Sequence, residues 1–191
     1  MFTIRNFETK TLSWWHNQKE KLDFNPPYQR KGKLWSTKDK TFLIDSILNG
    51  FDLPKIYIAD FTFVESKLNK SKKPYAIIDG KQRFEAIFDF FEGKIALDPD
   101  FNYYKNKNIN IGGMSYQDLK TNYPEIASEF ENYNLSVISI ITDEDSKINE
   151  LFVRLNKSKA LTGAELRNAM EGIVPNLIRE ITEHGFFREK I

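Results

Sequence analysis

Asp79-Gly80-Lys81-Gln82-Arg83 are the residues of this chain whose types and spacing most suit chemistry. They follow a short apolar run, Tyr75-Ala76-Ile77-Ile78, and lead into Phe84, Ile87, Phe88 and Phe91 at helical spacing, so the segment reads as a strand-to-helix turn. The first turn of a helix leaves backbone N–H groups without intrahelical partners and carries partial positive charge. A glycine there lets a ligand come close to the backbone. Lys81 and Arg83 add full positive charges to that turn, and these oppose the helix dipole unless an anion sits beside them. A phosphate group would meet both needs. A purely structural account is also open: Asp79 to Gln82 spells a capping box, with Asp79 as cap and Gln82 reaching back. That account leaves the two cations unexplained.

Further candidates lie at a distance in sequence. Tyr28-Gln29-Arg30 leaves the rigid Phe24-Asn25-Pro26-Pro27 segment, with Trp35 close behind. An aromatic ring and a guanidinium on such a loop suit stacking and phosphate contact, although Tyr28 and Trp35 could equally anchor the loop to the core. Arg154 and Asn156 end a helix whose inward face is supplied by Leu151, Phe152 and Leu155. An i,i+4 pair with Glu150 would explain Arg154, and a helix stop would explain Asn156. Glu165, Arg167 and Asn168 follow on the next helix, where Glu165 serves as capping partner of Thr162. His16 and His184, the only histidines, have no metal-like spacing. Asp79 followed by Glu92-Gly93-Lys94 echoes a nuclease pattern, but Glu92 falls at a helix end instead of on a strand.

Positioning these residues requires a mixed set of elements. Ser36-Thr37-Lys38-Asp39 reads as a capping box opening a helix with Leu43, Ile44, Ile47 and Leu48 inward, closed by Asn49-Gly50. Alternation over Lys55–Asp60 predicts a strand, which Phe61–Val64 continues or pairs with, and a lysine-rich hairpin tip separates it from Tyr75–Ile78. Residues 94–134 predict short helices and loops, Leu135–Ile141 a strand, and the segments around 145–155, 162–170 and 174–181 helices. The expected fold is α+β: a small mixed sheet with packed helices over residues 1–142, followed by a helical extension over 143–191.

Hydrophobic residues make up 40% of the 191 residues, enough for a sizeable core. The absence of cysteine removes disulfides, thiolate zinc sites and cysteine nucleophiles together, and suits a reducing cytoplasm. No basic start precedes an apolar run, and no apolar stretch reaches the roughly 20 residues that span a bilayer, so neither a signal peptide nor a membrane partner is expected. A net charge of +1 argues against bulk attraction to nucleic acid, although Arg30, Lys31, Lys33, Lys38 and Lys40 form a local basic run.

Five segments together carry a family resemblance. They are Pro27-Tyr28-Gln29-Arg30 with Trp35; Leu43–Leu48 leading to Leu53-Pro54; Asp79–Phe84; Phe152-Val153-Arg154-Leu155-Asn156; and Leu161-Thr162 with Glu165–Ala169. In this order and spacing, over about residues 10–180, the chain resembles the N-terminal domain of GmrSD-type restriction endonucleases, a class related to the ParB/sulfiredoxin-like fold. The resemblance implies a role in phage defence or modification-dependent DNA restriction, with the family's Asp-Gly-Gln-Gln-Arg motif binding and hydrolysing nucleoside triphosphates. Asp79, Gly80, Gln82 and Arg83 match that motif, while Lys81 replaces its first glutamine. It further implies that Asp79 and Arg83 are catalytic, that Tyr28, Gln29, Arg30, Arg154 and Asn156 surround the same pocket, and that Asp79 orients a water or the Mg²⁺ accompanying the triphosphate. The expected partners are a nucleoside triphosphate, DNA, and a nuclease domain or subunit, because no His-Asn-His arrangement is present in this chain. The chain is accordingly expected to be the N-terminal part of a longer protein or a short form served by a separate partner. The alternative is a DNA-binding or nuclease-docking module with a degenerate pocket.

Overall fold

The computed structural model describes residues 2–28 and 34–156. The chain divides into two compact units, residues 1–152 and 153–191, and the fold described here is that of the first. Its main sheet contains β1 (Phe2–Asn6), β3 (Leu22–Asp23), β4 (Ile56–Asp60), β5 (Tyr75–Asp79) and β7 (Val137–Thr142), in the order β1-β7-β4-β5-β3. Pairing is mixed: β1–β7 and β4–β5 are antiparallel, β4–β7 and β3–β5 parallel. A two-stranded ribbon joins β2 (Lys10–Thr11) to β6 (Asn134–Leu135).

Alternation along the strands builds two cores. In β4, Ile56 and Ile58 enter the first core, while Tyr57 and Ala59 face the second. The first core is the larger. It is roofed by α1 (Leu12–Asn17), α2 (Thr37–Leu48), α3 (Lys81–Phe91) and α5 (Pro124–Asn132), with Trp15, Ile44, Phe84, Phe90 and Phe130 fully buried in it. α4 (Tyr116–Asn122) precedes α5 and adds Leu119. The second core joins Ala59, Ala76, Ile78, Ile138 and Ile140 to Ile148 of α6 (Asp145–Asn156), with Tyr28 and Leu151 packed against it.

The α+β expectation therefore holds, with local differences. The capping box at Ser36 forms as read: the Ser36 hydroxyl accepts from the Asp39 N–H at 3.2 Å, and the Asp39 carboxylate accepts from the Ser36 N–H at 2.8 Å. Phe61–Val64 is not a strand. Instead Asp60 turns the chain, its carboxylate accepting from the Thr62 N–H and hydroxyl, and residues 61–74 loop out before β5. Leu135–Ile141 is interrupted at Ser136, so its two halves pair with different strands. β1, α1 and β3 were not read from sequence, being short or without clear periodicity. The readings at 162–170 and 174–181, with Glu165, Arg167 and Asn168, lie outside the described residues.

Among the described residues, no helix is long and apolar enough to cross a membrane.

Candidate functional site

Strand directions bring three segments to one end of the sheet. β3 and β5 run parallel, so Asn25–Tyr28 and Asp79-Gly80 leave the sheet on the same side. β4 is antiparallel to β5, so Pro54-Lys55 enters there. Tyr57 pairs with Asp79 but Ile58 pairs with Ile77, which makes Ile78 an extra residue on β5. Such a bulge bends a strand and re-aims the side chains next to it, here at the turn into α3.

Gly80, not Asp79, is the N-cap of α3, with φ +96°. A Cβ at this position would lie 2.7 Å from Cγ1 and 3.1 Å from Cγ2 of the fully buried Ile56. The position thus demands glycine twice, for its left-handed backbone and for its contact with β4. No side chain caps the helix, so the capping box that Asp79 and Gln82 could have formed is absent. The reason is that Asp79 stays in the ladder opposite Tyr57, and both side chains bind elsewhere.

Arg83 donates from Nη2 to Asp79 Oδ2 at 2.5 Å, and from Nη1 to the carbonyls of Pro54 and Lys55, the latter at 3.1 Å. Its side chain is only 11% exposed. One guanidinium therefore ties the end of β5 to the start of β4, which its planar fork suits. Lys81 Nζ donates to Asn25 Oδ1 at 2.7 Å and lies 3.8 Å from Glu85 Oε1. Gln82 Oε1 accepts from the Trp35 backbone N–H at 3.0 Å.

The segment after β3 is anchored on both cores. Phe24 packs against Phe84 and Phe88 of the first core and Trp35 joins the same core, whereas Tyr28 lies against the second. The Tyr28 hydroxyl is buried without a hydrogen-bond partner, and burial, reinforced by Asp23 and Asp145, pushes its ionisation up. Gln29 and Arg30 lie outside the described residues. Arg154 and Asn156 end α6 and belong to the second unit, so the first unit gives them no position relative to the turn.

Four contributors escaped the reading of the sequence: the Asn25 side chain, the Trp35 N–H, and the carbonyls of Pro54 and Lys55. The i,i+4 spacing of Asp79 and Arg83, acid first, was a signal for their pair. Other polar groups are engaged away from the turn. Glu92 accepts from Lys19 and Lys94, each at 2.6 Å, and these bonds hold its carboxyl down at about 2. A cleft of about 680 Å³ along Pro99–Asn110 includes none of the motif residues. Among the described residues, no cluster of three or more His, Cys, Asp or Glu side chains could hold a metal ion.

A mixed sheet carrying a glycine-capped helix start, with two loops tied onto it, defines an α+β domain. A model of the GmrSD restriction endonuclease N-terminal domain matches residues 12–170. The chain belongs to that family, which places it in a restriction system. No curated protein and no solved structure gives a significant match to the chain.

Proposed function

We propose that this chain is the nucleotide-binding, NTP-hydrolysing regulatory domain of a bacterial restriction system, acting with a nuclease domain or subunit on DNA. The observation that carries this reading is the start of α3: a left-handed glycine cap, no capping side chain, and Lys81 in the first turn. The N–H groups of Lys81, Gln82 and Arg83 would face the phosphates, with the Lys81 ammonium supplying full charge. Donors fixed in place before the ligand arrives stabilise charge that develops on phosphoryl oxygens during hydrolysis. Arg83 would act chiefly by bracing Asp79, and Asp79 is the carboxylate at hand to orient a water or a Mg²⁺ carried by the triphosphate.

The test is calorimetric titration of the chain with the four common nucleoside triphosphates and Mg²⁺. Saturable binding that Lys81→Ala weakens at least tenfold supports the reading, and absence of binding to all of them refutes it. One observation favours a second reading, a DNA-contacting or nuclease-docking module with a degenerate pocket. The Arg83 donors are directed to protein carbonyls and a carboxylate, which are the bonds a purely structural motif would make. Tight binding of a nuclease partner or DNA, indifferent to every nucleotide, would establish that alternative.

A further inference from the structure

The first turn of α3 grips two points far away in sequence. Gln82 takes the Trp35 N–H at 3.0 Å, and Lys81 takes the Asn25 side chain at 2.7 Å. A backbone N–H can only donate, so Gln82 must present its carbonyl oxygen to Trp35. Trp35 immediately precedes Ser36, the cap of α2, and its ring packs on the first core. The bond therefore fixes the start of α2 and the Trp35 ring against the start of α3. Without it, Trp35 could reach the same place only by losing conformational freedom when a ligand binds.

We infer that Gln82 is a positioning residue of the phosphate site: it acts through its carbonyl oxygen on Trp35, and the phosphate is left to the backbone N–H groups and Lys81. This rests on the nucleotide reading above and deepens it, since it assigns the second glutamine position of the motif to the protein instead of the ligand. The chemistry is specific to the acceptor. Gln82→Glu preserves an oxygen for the Trp35 N–H and exchanges the amide N–H donors for a negative charge. Gln82→Ala removes the acceptor altogether. If the Gln82 amide instead donated to phosphate, a carboxylate there would repel the ligand and both variants would fail.

The experiment combines two measurements on the full chain. Amide hydrogen exchange at Trp35 is followed without nucleotide, and affinity is then measured by calorimetry for ATP, GTP, CTP and UTP with Mg²⁺. Gln82→Ala is expected to accelerate Trp35 exchange about tenfold, the effect of losing one ordinary hydrogen bond, and to weaken binding by a similar factor. Gln82→Glu is expected to keep Trp35 exchange within about threefold of wild type and to recover part of the affinity that Gln82→Ala loses, its added charge costing the rest. Unchanged Trp35 exchange in Gln82→Ala overturns the proposal. So does an affinity in Gln82→Glu no better than in Gln82→Ala with Trp35 still protected, which assigns Gln82 to the ligand. Faster exchange with unaltered affinity in Gln82→Ala reduces the bond to helix docking and also overturns it. If wild type binds none of the four, the nucleotide reading falls and takes the positioning role with it; the exchange data still decide whether the Gln82–Trp35 bond exists.

Discussion

Replacing Arg83 with alanine separates two roles that the motif allows. In the structure the side chain is 11% exposed and donates to Asp79 Oδ2 and to the carbonyls of Pro54 and Lys55. Alanine would leave the Asp79 carboxylate and two strand-flanking carbonyls without this donor. Hydrogen bonds to charged groups contribute about 1.5–3 kcal/mol each, and breaking a buried ion pair costs roughly 3–5 kcal/mol. Asp79 is 34% exposed, so water recovers part of that loss, and the bonds share one guanidinium and do not add. The expected cost is about 3 kcal/mol. With a urea slope of about 2 kcal/mol/M, the unfolding midpoint would fall by roughly 1.5 M. Arg83→Lys should recover about half, because an ammonium can face Asp79 but cannot fork across to both carbonyls. Nucleotide affinity is measured on the same proteins well below their midpoints. A loss under about 1 kcal/mol, accompanied by abolished nucleotide binding, would refute the bracing argument and make Arg83 a ligand to phosphate.

Gly80→Ala should cost about 2–4 kcal/mol in urea unfolding, from the left-handed backbone and the 2.7 Å approach to Ile56; a change below about 1 kcal/mol would show that this turn relaxes freely. In an Ile56→Ala background the same substitution should cost only the backbone part, a coupling of about 1–2 kcal/mol in a double-mutant cycle. Lys81→Ala should leave stability within about 1 kcal/mol, since its contacts are a single bond to an exposed asparagine and a loose pair with Glu85, while lowering triphosphate affinity. Glu92→Gln should destabilise by about 1 kcal/mol at pH 7, because its 24% exposed carboxylate is screened. The folded value of Glu92, about 2, lies below its ordinary 4.5. Its contribution is therefore complete above pH 4.5 and disappears as pH falls towards 2, so unfolding curves of mutant and wild type should converge there. His16 behaves with the same sign for a different cause: burial, then Lys19, lowers its ionisation, so the folded state loses stability as pH drops below 6.5, and His16→Phe should flatten that limb.

How much of this was readable depends on how far each bond reaches along the chain. The box at Ser36 closes between residues three apart, so four letters suffice to name both partners. Alternation at Ile56–Asp60 is equally local, and it revealed the strand although its pairing and bulge come from partners elsewhere. The Asp79 turn misled for a related reason. Its letters fit a capping box, but β5 keeps Asp79 in register with Tyr57, and the two candidate partners are drawn away by Arg83 and by Trp35. Gln82 and Trp35 are 47 residues apart, Lys81 and Asn25 56, and no sequence period marks such pairs. Gly80 survives both readings because its requirement is steric: either a helix cap or a phosphate site needs the residue that fits against Ile56 at positive φ. The motif thus divides by atom. Carboxylate, guanidinium, amide and ammonium side chains all bind the protein to itself, and on the proposed reading it is the backbone N–H groups of the first turn, together with Lys81 released from Asn25, that would meet the phosphate. An anion site built this way would keep its shape when its lysine is changed and lose it when its arginine is, which is the contrast that Lys81→Ala and Arg83→Ala measure.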